Sequence, residues 1–157
     1  MFSEGGHERV GGAARPITLH GAVILHRPYA TVQSFDDGLE ELVAAMCAAA
    51  DNADGDAFAA YSADGASYRF GNNEPLTGPA AIAAATNGIV DAVWPVRHQI
   101  DQVAAVGSQL FCRFTIHVSP PDGIGLALPC VTVIELDDRD RITDYRVHMD
   151  IAPALRP

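Results

Sequence analysis

Basic residues are scarce in this chain. Ten Arg and Lys stand against twenty Asp and Glu, for a formal net charge of −10 over 157 residues. Nucleic acids and anionic bilayers demand clustered positive charge, so the balance argues against both as partners. The surplus acid serves solubility. Long apolar runs are also missing. "GAVIL" (21–25) is far too short to span a bilayer, and "MFSEGGHERVGG" carries two Glu where a signal peptide has an apolar core. Cys47, Cys112 and Cys130 are odd in number and widely spaced, with no CxxC or Cys/His spacing that would hold zinc. They read as small buried thiols in a reducing compartment, which makes a cytoplasmic protein the expectation. "GPAAIAAATNG" lacks the Lys and Gly spacing of a phosphate loop, and the histidines form no metal motif. No cofactor and no metal are implied.

What remains suits one domain around one core, with 48% hydrophobic residues. Residues 1–33 read as a flexible arm rich in Gly and charge, with a possible strand at 17–28, and the main domain runs over 34–157. Ser34 or Asp36 can cap a first helix, in which Leu39, Leu42, Val43, Met46, Cys47 and Ala50 recur at helical spacing. "DAFAAYSA" predicts a short second helix stopped by Gly65, and "ASYRF" a strand. "TGPAAIAAATNGIVDAV" predicts a third helix with Pro79 in its first turn and a buried stripe of Ile82, Ala85, Thr86, Ile89 and Val93. Four strands follow at 96–106, 109–118, 124–136 and 142–151, separated by tight turns. Together these elements predict an α+β domain with helices on one face of a curved, largely antiparallel sheet.

The strand 109–118 is apolar on both faces. Leu110, Cys112, Phe114, Ile116 and Val118 point one way, and Phe111 joins Arg113, Thr115 and His117 on the other. A sheet with one wet face alternates more cleanly, so the outer face should be covered, by a second subunit or by the N-terminal arm. A homodimer is the simpler expectation.

The segments "DGDAFAAYSADGASYRFGNNEPLTGPAAI", "VRHQI", the "LP" before the next long strand and "RITDYRVHMDIAP" occur in an order that resembles the NTF2-like α+β cone, and within it the SnoaL-like proteins. The resemblance runs from about Ser34 to Leu155. It implies a mixed sheet wrapped around three helices and closing on an apolar pocket. Relatives include epoxide hydrolases of the limonene type, polyketide cyclases, ketosteroid isomerases, scytalone dehydratase and proteins that only bind, so fold alone selects no reaction. The resemblance puts Arg113 and Tyr68 at the pocket arginine and tyrosine of the epoxide hydrolases. Their asparagine falls at Phe70 and their two aspartates at Thr115 and Val147, so three of five functional groups are missing. The ketosteroid isomerase positions fall at Arg69, Met46 and Pro129, and arginine is no base. His98 matches a pocket histidine of scytalone dehydratase, and His117 lies on the next strand.

Five residues follow as candidates. His98 and His117 form an acid–base pair or cap strand ends; histidine is the side chain whose free imidazole titrates near neutrality. Arg113 holds an oxyanion, or pairs with Asp150 or Glu74. Tyr68 donates a hydrogen bond to a substrate oxygen, or is a core tyrosine. Asp150 is catalytic or, grouped by strand alternation with His148, part of an interface. Asn72, Asn73 and Glu74 read as a turn before a helix. The function expected is isomerisation, cyclisation or dehydration by proton transfer on a small apolar molecule bearing an oxygen. The alternatives are epoxide hydrolysis and a non-catalytic ligand-binding or assembly module.

Overall fold

The computed structural model describes residues 18–19, 22–23, 37–121 and 124–156. The chain divides into two units, 1–31 and 32–157. Of the first, the described part is a pair of two-residue strands, β1 (Thr18–Leu19) and β2 (Ala22–Val23), joined antiparallel. They fall inside the strand expected at 17–28. The rest of that expectation, and the caps Ser34 and Asp36, lie outside the described residues.

The second unit is the α+β domain. Helix α1 (Asp37–Asp51) buries Val43, Met46 and Ala49, with Leu42 and Cys47 packed beside them. Helix α2 (Gly55–Ala59) starts where the Asp54 carboxylate accepts the Ala57 N–H at 2.9 Å. It is shorter than the sequence predicts. Gly65 does not stop it but lies inside β3 (Ser62–Phe70), where the register slips between Ser62 and Ser67. A glycine within a strand commonly marks such an irregularity. Gly71, at φ +56°, then turns the chain, with Asn73 N–H bonded back to the Phe70 carbonyl at 3.1 Å. Asn72, Asn73 and Glu74 are thus an exposed turn leading to β4 (Leu76–Thr77) and α3 (Pro79–Ala92).

The long strands are β5 (Val96–Val106), β6 (Gln109–Val118), β7 (Leu126–Leu136) and β8 (Ile142–His148). They form an antiparallel meander as expected. The sheet order is β4-β3-β8-β7-β6-β5, and β3 joins β8 in parallel, so the sheet is mixed and open. The core lies between its inner face and the helices, with Leu110, Cys112, Phe114, Ile116 and Val118 of β6 all buried. The register slip at Asp101 changes the side that β5 shows to the core. Val96 and His98 pair with inward Val118 and Ile116 before it, and Val103 and Ala105 with inward Cys112 and Leu110 after it. One extra residue in a strand inverts the alternation beyond it.

Helices α2 and α3 meet at Gly55, whose N–H bonds the Asn87 side chain at 2.9 Å. A Cβ at Gly55 would collide with the Ala83 carbonyl oxygen. Gly55→Ala should therefore lower stability by about 1–3 kcal/mol through overpacking. Urea unfolding measures this, and an unchanged midpoint would show that the helices can move apart freely.

Candidate functional site

Helices α1 to α3 and the inner face of the sheet enclose a cavity of about 80 Å³. Its wall is largely apolar, including Phe58, Phe70, Ile89, Val93, Ile116 and Val147. Its polar and titratable groups are His98, Tyr68, Tyr145, Thr86, Thr132 and the Cys130 thiol. The volume is roughly half that of an engineered 150 Å³ cavity that admits benzene, so the enclosed space takes a molecule of a few heavy atoms.

His98 reaches the cavity because it lies on the inward phase of β5, before the bulge. Its Nδ1 is 2.6 Å from Asp51 Oδ1, and its backbone N–H donates to both Asp51 oxygens at 3.1 Å. Asp51 is the last residue of α1. The carboxylate is served best by Nδ1 carrying a proton, which leaves Nε2 as the basic nitrogen. Among the described residues Nε2 has no partner. The ring stands edge-on to Phe114, centroids 5.8 Å apart, which limits its rotation. The arrangement is a base oriented by a carboxylate in a partly apolar wall.

Tyr68 and Tyr145 occupy the facing part of the sheet. They are register partners in the parallel β3–β8 pair, and their rings stack at 5.6 Å with 16° between planes. Phe58 abuts both edge-on, at 6.3 Å and 5.4 Å. Burial pushes both phenols well above the ordinary tyrosine value, with neighbouring Cys130 a lesser cause for Tyr68 and Tyr68 itself a lesser one for Tyr145. Both stay neutral donors at any ordinary pH.

Three of the five expected site residues are not brought to this cavity. Arg113 and His117 are exposed on the outer face of β6, opposite in parity to buried Cys112, Phe114, Ile116 and Val118. His117 Nε2 lies 2.9 Å from Gln99 Oε1 on that face, so His98 and His117 are on opposite sides of the sheet. Thr115 also points outward, and bonds Asp101 at 2.8 Å. The family resemblance puts Arg113 and Thr115 at pocket positions, but the alternation of β6 puts both on the outer face. The inward residues of β6 are all apolar or thiol, so the strand supplies no carboxylate for epoxide hydrolysis. Asp150 is exposed, and its carboxylate accepts the Ala152 N–H at 3.0 Å, which shapes the turn after β8. His148 is exposed too, as strand alternation predicts.

The sequence reading did not single out Asp51, which holds His98, or Tyr145, which stacks on Tyr68. Asp51 had one available signal, an acid in the last turn of a helix, where the macrodipole disfavours negative charge. Tyr145 could be assigned to the inward face by alternation, but its partnership with Tyr68 depends on a parallel pairing between distant strands.

The fold is the NTF2-like α+β arrangement, three helices over an open six-stranded mixed sheet. The model of the SnoaL-like domain matches residues 43–145, and the chain belongs to that family. No curated protein matches the sequence significantly. Among solved structures, a protein of ketosteroid isomerase-like fold from Catenulispora acidiphila, in complex with trimethylamine, superposes with TM-score 0.65 at 16% identity, over 73% of this chain and 88% of its own. The epoxide hydrolase/cyclase-like enzyme SalBIII, of pyran ring formation in the polyether salinomycin, gives 0.62 at 18% identity, over 76% and 97%. An epoxide hydrolase of M. tuberculosis similar to the limonene type gives 0.57 at 22%, over 71% and 81%. Identities this low carry the fold and not the reaction.

The three thiols are unpaired and lie in or beside the core. Burial, and then Asp51, push Cys47 up to about 12; burial, and then Cys130, do the same for Cys112. At pH 8 about one such thiol in ten thousand is ionised. Native protein should resist iodoacetamide at that pH and take up three equivalents in urea. The folded state holds these protons more tightly than the unfolded chain, so stability should fall as pH rises from about 9 toward 12. Rapid labelling of the native protein would contradict the burial described.

Proposed function

We propose that the protein is a proton-transfer enzyme that enolises a small, mostly apolar carbonyl compound, with His98 as the base and Asp51 as its positioning residue. The observation that carries this is the 2.6 Å contact that aligns His98 on the cavity wall. Isomerisation, aldol cyclisation and dehydration next to a carbonyl all begin with the same step. Nε2 takes a proton from the carbon beside the carbonyl, the C–H pair forms a C=C bond, and the carbonyl π pair moves to oxygen. The protonated imidazole, steadied by Asp51, then returns the proton to another carbon or to a leaving oxygen. The cyclase-like neighbour SalBIII supports ring closure as one outcome, on a substrate small enough for this cavity. Epoxide opening fits less well, because the water-activating carboxylates are missing. Three unpaired thiols support a reducing, cytoplasmic setting.

The step can be read without the natural substrate. Butanone in D₂O exchanges the protons beside its carbonyl, and proton NMR follows the loss of signal. The protein should accelerate this exchange. His98→Gln should lower the protein-dependent rate by at least about a hundredfold. Asp51→Asn should lower it by about tenfold or more, because the amide also accommodates the wrong tautomer. Equal rates with wild type and His98→Gln would defeat the proposal and leave a ligand-binding module.

We also propose a homodimer through the outer sheet face. Phe111 and Val131 are 39% and 43% exposed there, among groups of both signs that include Arg113, Asp101, Glu135 and Arg146. A face with both signs can complement itself about a two-fold axis. Sedimentation at micromolar concentration should give twice the chain mass, and Phe111→Arg should restore the monomer. A wild-type monomer at all accessible concentrations would overturn this.

A further inference from the structure

We infer that the open rim where β3 and β8 end binds the anionic end of the ligand, with Arg69 and Arg146 as its partners, while the neutral end passes Met149 into the cavity. This rests on the reading of that cavity as a ligand site and not on His98 as a base. The enclosed space takes only a few heavy atoms, so a longer ligand has to extend out of it. Val147 and Met149 show where. Both line the cavity, and each also lines a depression on the surface. Met149 borders one with Gly71, Asn72, His148 and Asp150. Val147 borders a second, where Arg69 and Arg146 join Gly71, Asn72 and His148. The sheet ends there for a local reason: Gly71, at φ +56°, turns the chain after β3 just where β8 stops at His148. Phe111 and Val131 of the proposed dimer face lie on β6 and β7, whereas this rim belongs to β3, β8 and the turn beyond.

The rim is cationic in a chain of net charge −10. Arg69 and Arg146 are register partners in the parallel β3–β8 pair, one position beyond inward Tyr68 and Tyr145, so both face out. His148 follows Arg146 by two positions and is exposed with it. Like charges opposite each other on neighbouring strands repel, and a bound anion relieves that. The nearby carboxylates do so only in part. Asp144 holds Arg146 Nε at 2.6 Å. Glu135, also near Arg146, accepts from Ser108 and Gln109 at 2.7 Å, and Asp150 accepts the Ala152 N–H. Arg69 Nε donates to the Asn73 carbonyl at 3.0 Å, which holds the guanidinium beside the turn. Among the described residues its terminal nitrogens and the His148 ring have no acceptor. A carboxylate matches the guanidinium fork. No arginine lines the cavity, so the charge stays at the wet rim and the neutral end is what enters. The ligand class is a short acid with a compact neutral end; with the enolisation proposed above, it is a keto acid.

The test compares 4-oxopentanoate with 2,5-hexanedione, which replaces the carboxylate by an acetyl group of nearly the same shape. Ligand-observed NMR gives the affinity ratio of acid to dione. Wild type should favour the acid, and raising NaCl from about 20 mM to about 300 mM should weaken the acid and not the dione. Arg69→Gln and Arg146→Gln should each lower the ratio about two- to fivefold, and the double variant about tenfold. Arg139→Gln makes the same change of charge beyond the other end of β8 and should leave the ratio as it is. Acetate, which carries the anion without the part that fills the cavity, should bind at least about tenfold more weakly than 4-oxopentanoate. An unchanged ratio in both single variants, or no preference for the acid in wild type, would overturn the rim site. So would an equal fall in Arg139→Gln, which would reveal only the overall field. Acetate binding as tightly as the longer acid would leave an isolated anion site and overturn the shared ligand. The ratio reads binding alone. Exchange lost in His98→Gln with no ratio shift in the arginine variants would keep the base and remove the rim, and the converse would keep the rim and remove the base.

Discussion

The Asp51 carboxylate takes three contacts from one residue, His98: two from its backbone N–H and one from its ring. That grip ties the end of α1 to the start of β5 and sets the imidazole tautomer at once. Without it the first strand of the meander would meet the helix layer only through apolar packing, and the ring could flip. A carboxylate at a helix C-terminus is electrostatically misplaced unless something compensates. Here the donors of His98 do so. The cost at the helix and the benefit at the ring belong to one local compromise, of the kind found where a fold serves a site.

The second constraint is the parallel junction of β3 and β8. A meander alone would have kept Tyr68 and Tyr145 apart, since about 77 positions of chain separate them. Parallel pairing brings them into register, and the stack follows from side chains leaving one face of neighbouring strands. The site therefore has two walls of different origin. The His98 wall depends on the phase of β5 before its bulge, and the tyrosine wall on a long-range strand pairing.

Local periodicity made the helices and the meander legible. The α3 stripe is one case: Ile82 and Thr86 are buried, Ile89 packs partly against the core, and Val93 is buried just beyond the helix. β6 is another, since its alternation assigns Leu110 through Val118 correctly to the core. The same alternation puts Arg113 on the opposite face, against the pocket position that the family resemblance implies for it. The Gly65 stop failed because a glycine signals both a helix end and a strand irregularity, and the choice depended on the pairing of Ser62 with Ile142. Asp51 could not be linked to His98 from sequence, because 47 positions separate them and only the packed fold brings them within 2.6 Å. Tyr68 and His98 do line the cavity, and alternation could place each of them, since each stands two positions from an inward residue, Ala66 and Val96.

The chemistry open to such a pocket follows from what its groups can and cannot give up. Burial raises the phenols, so they are poor proton donors. Opening an epoxide needs a group that transfers its proton to the leaving oxygen, alongside a carboxylate to activate water, and this wall offers neither. Stabilising an enolate asks less. In the proposed reaction a hydrogen bond from Tyr68 to the growing oxyanion would keep its proton on the phenol throughout, so a high value does not disable it. The same dry wall that weakens the phenols as acids also strengthens their dipoles toward a nearby charge, because little water competes. In the proposed reaction a single base both removes and returns the proton, so the protein ends each turnover unchanged, with the balance of charge carried between His98, Asp51 and the substrate oxygen. Exposed carboxylates such as Asp101, Asp138 and Asp140 lie away from the cavity wall. The cavity itself is lined by neutral groups and one oriented imidazole, an environment that favours a neutral ligand over a charged one, because a charge would lose its hydration there without a partner.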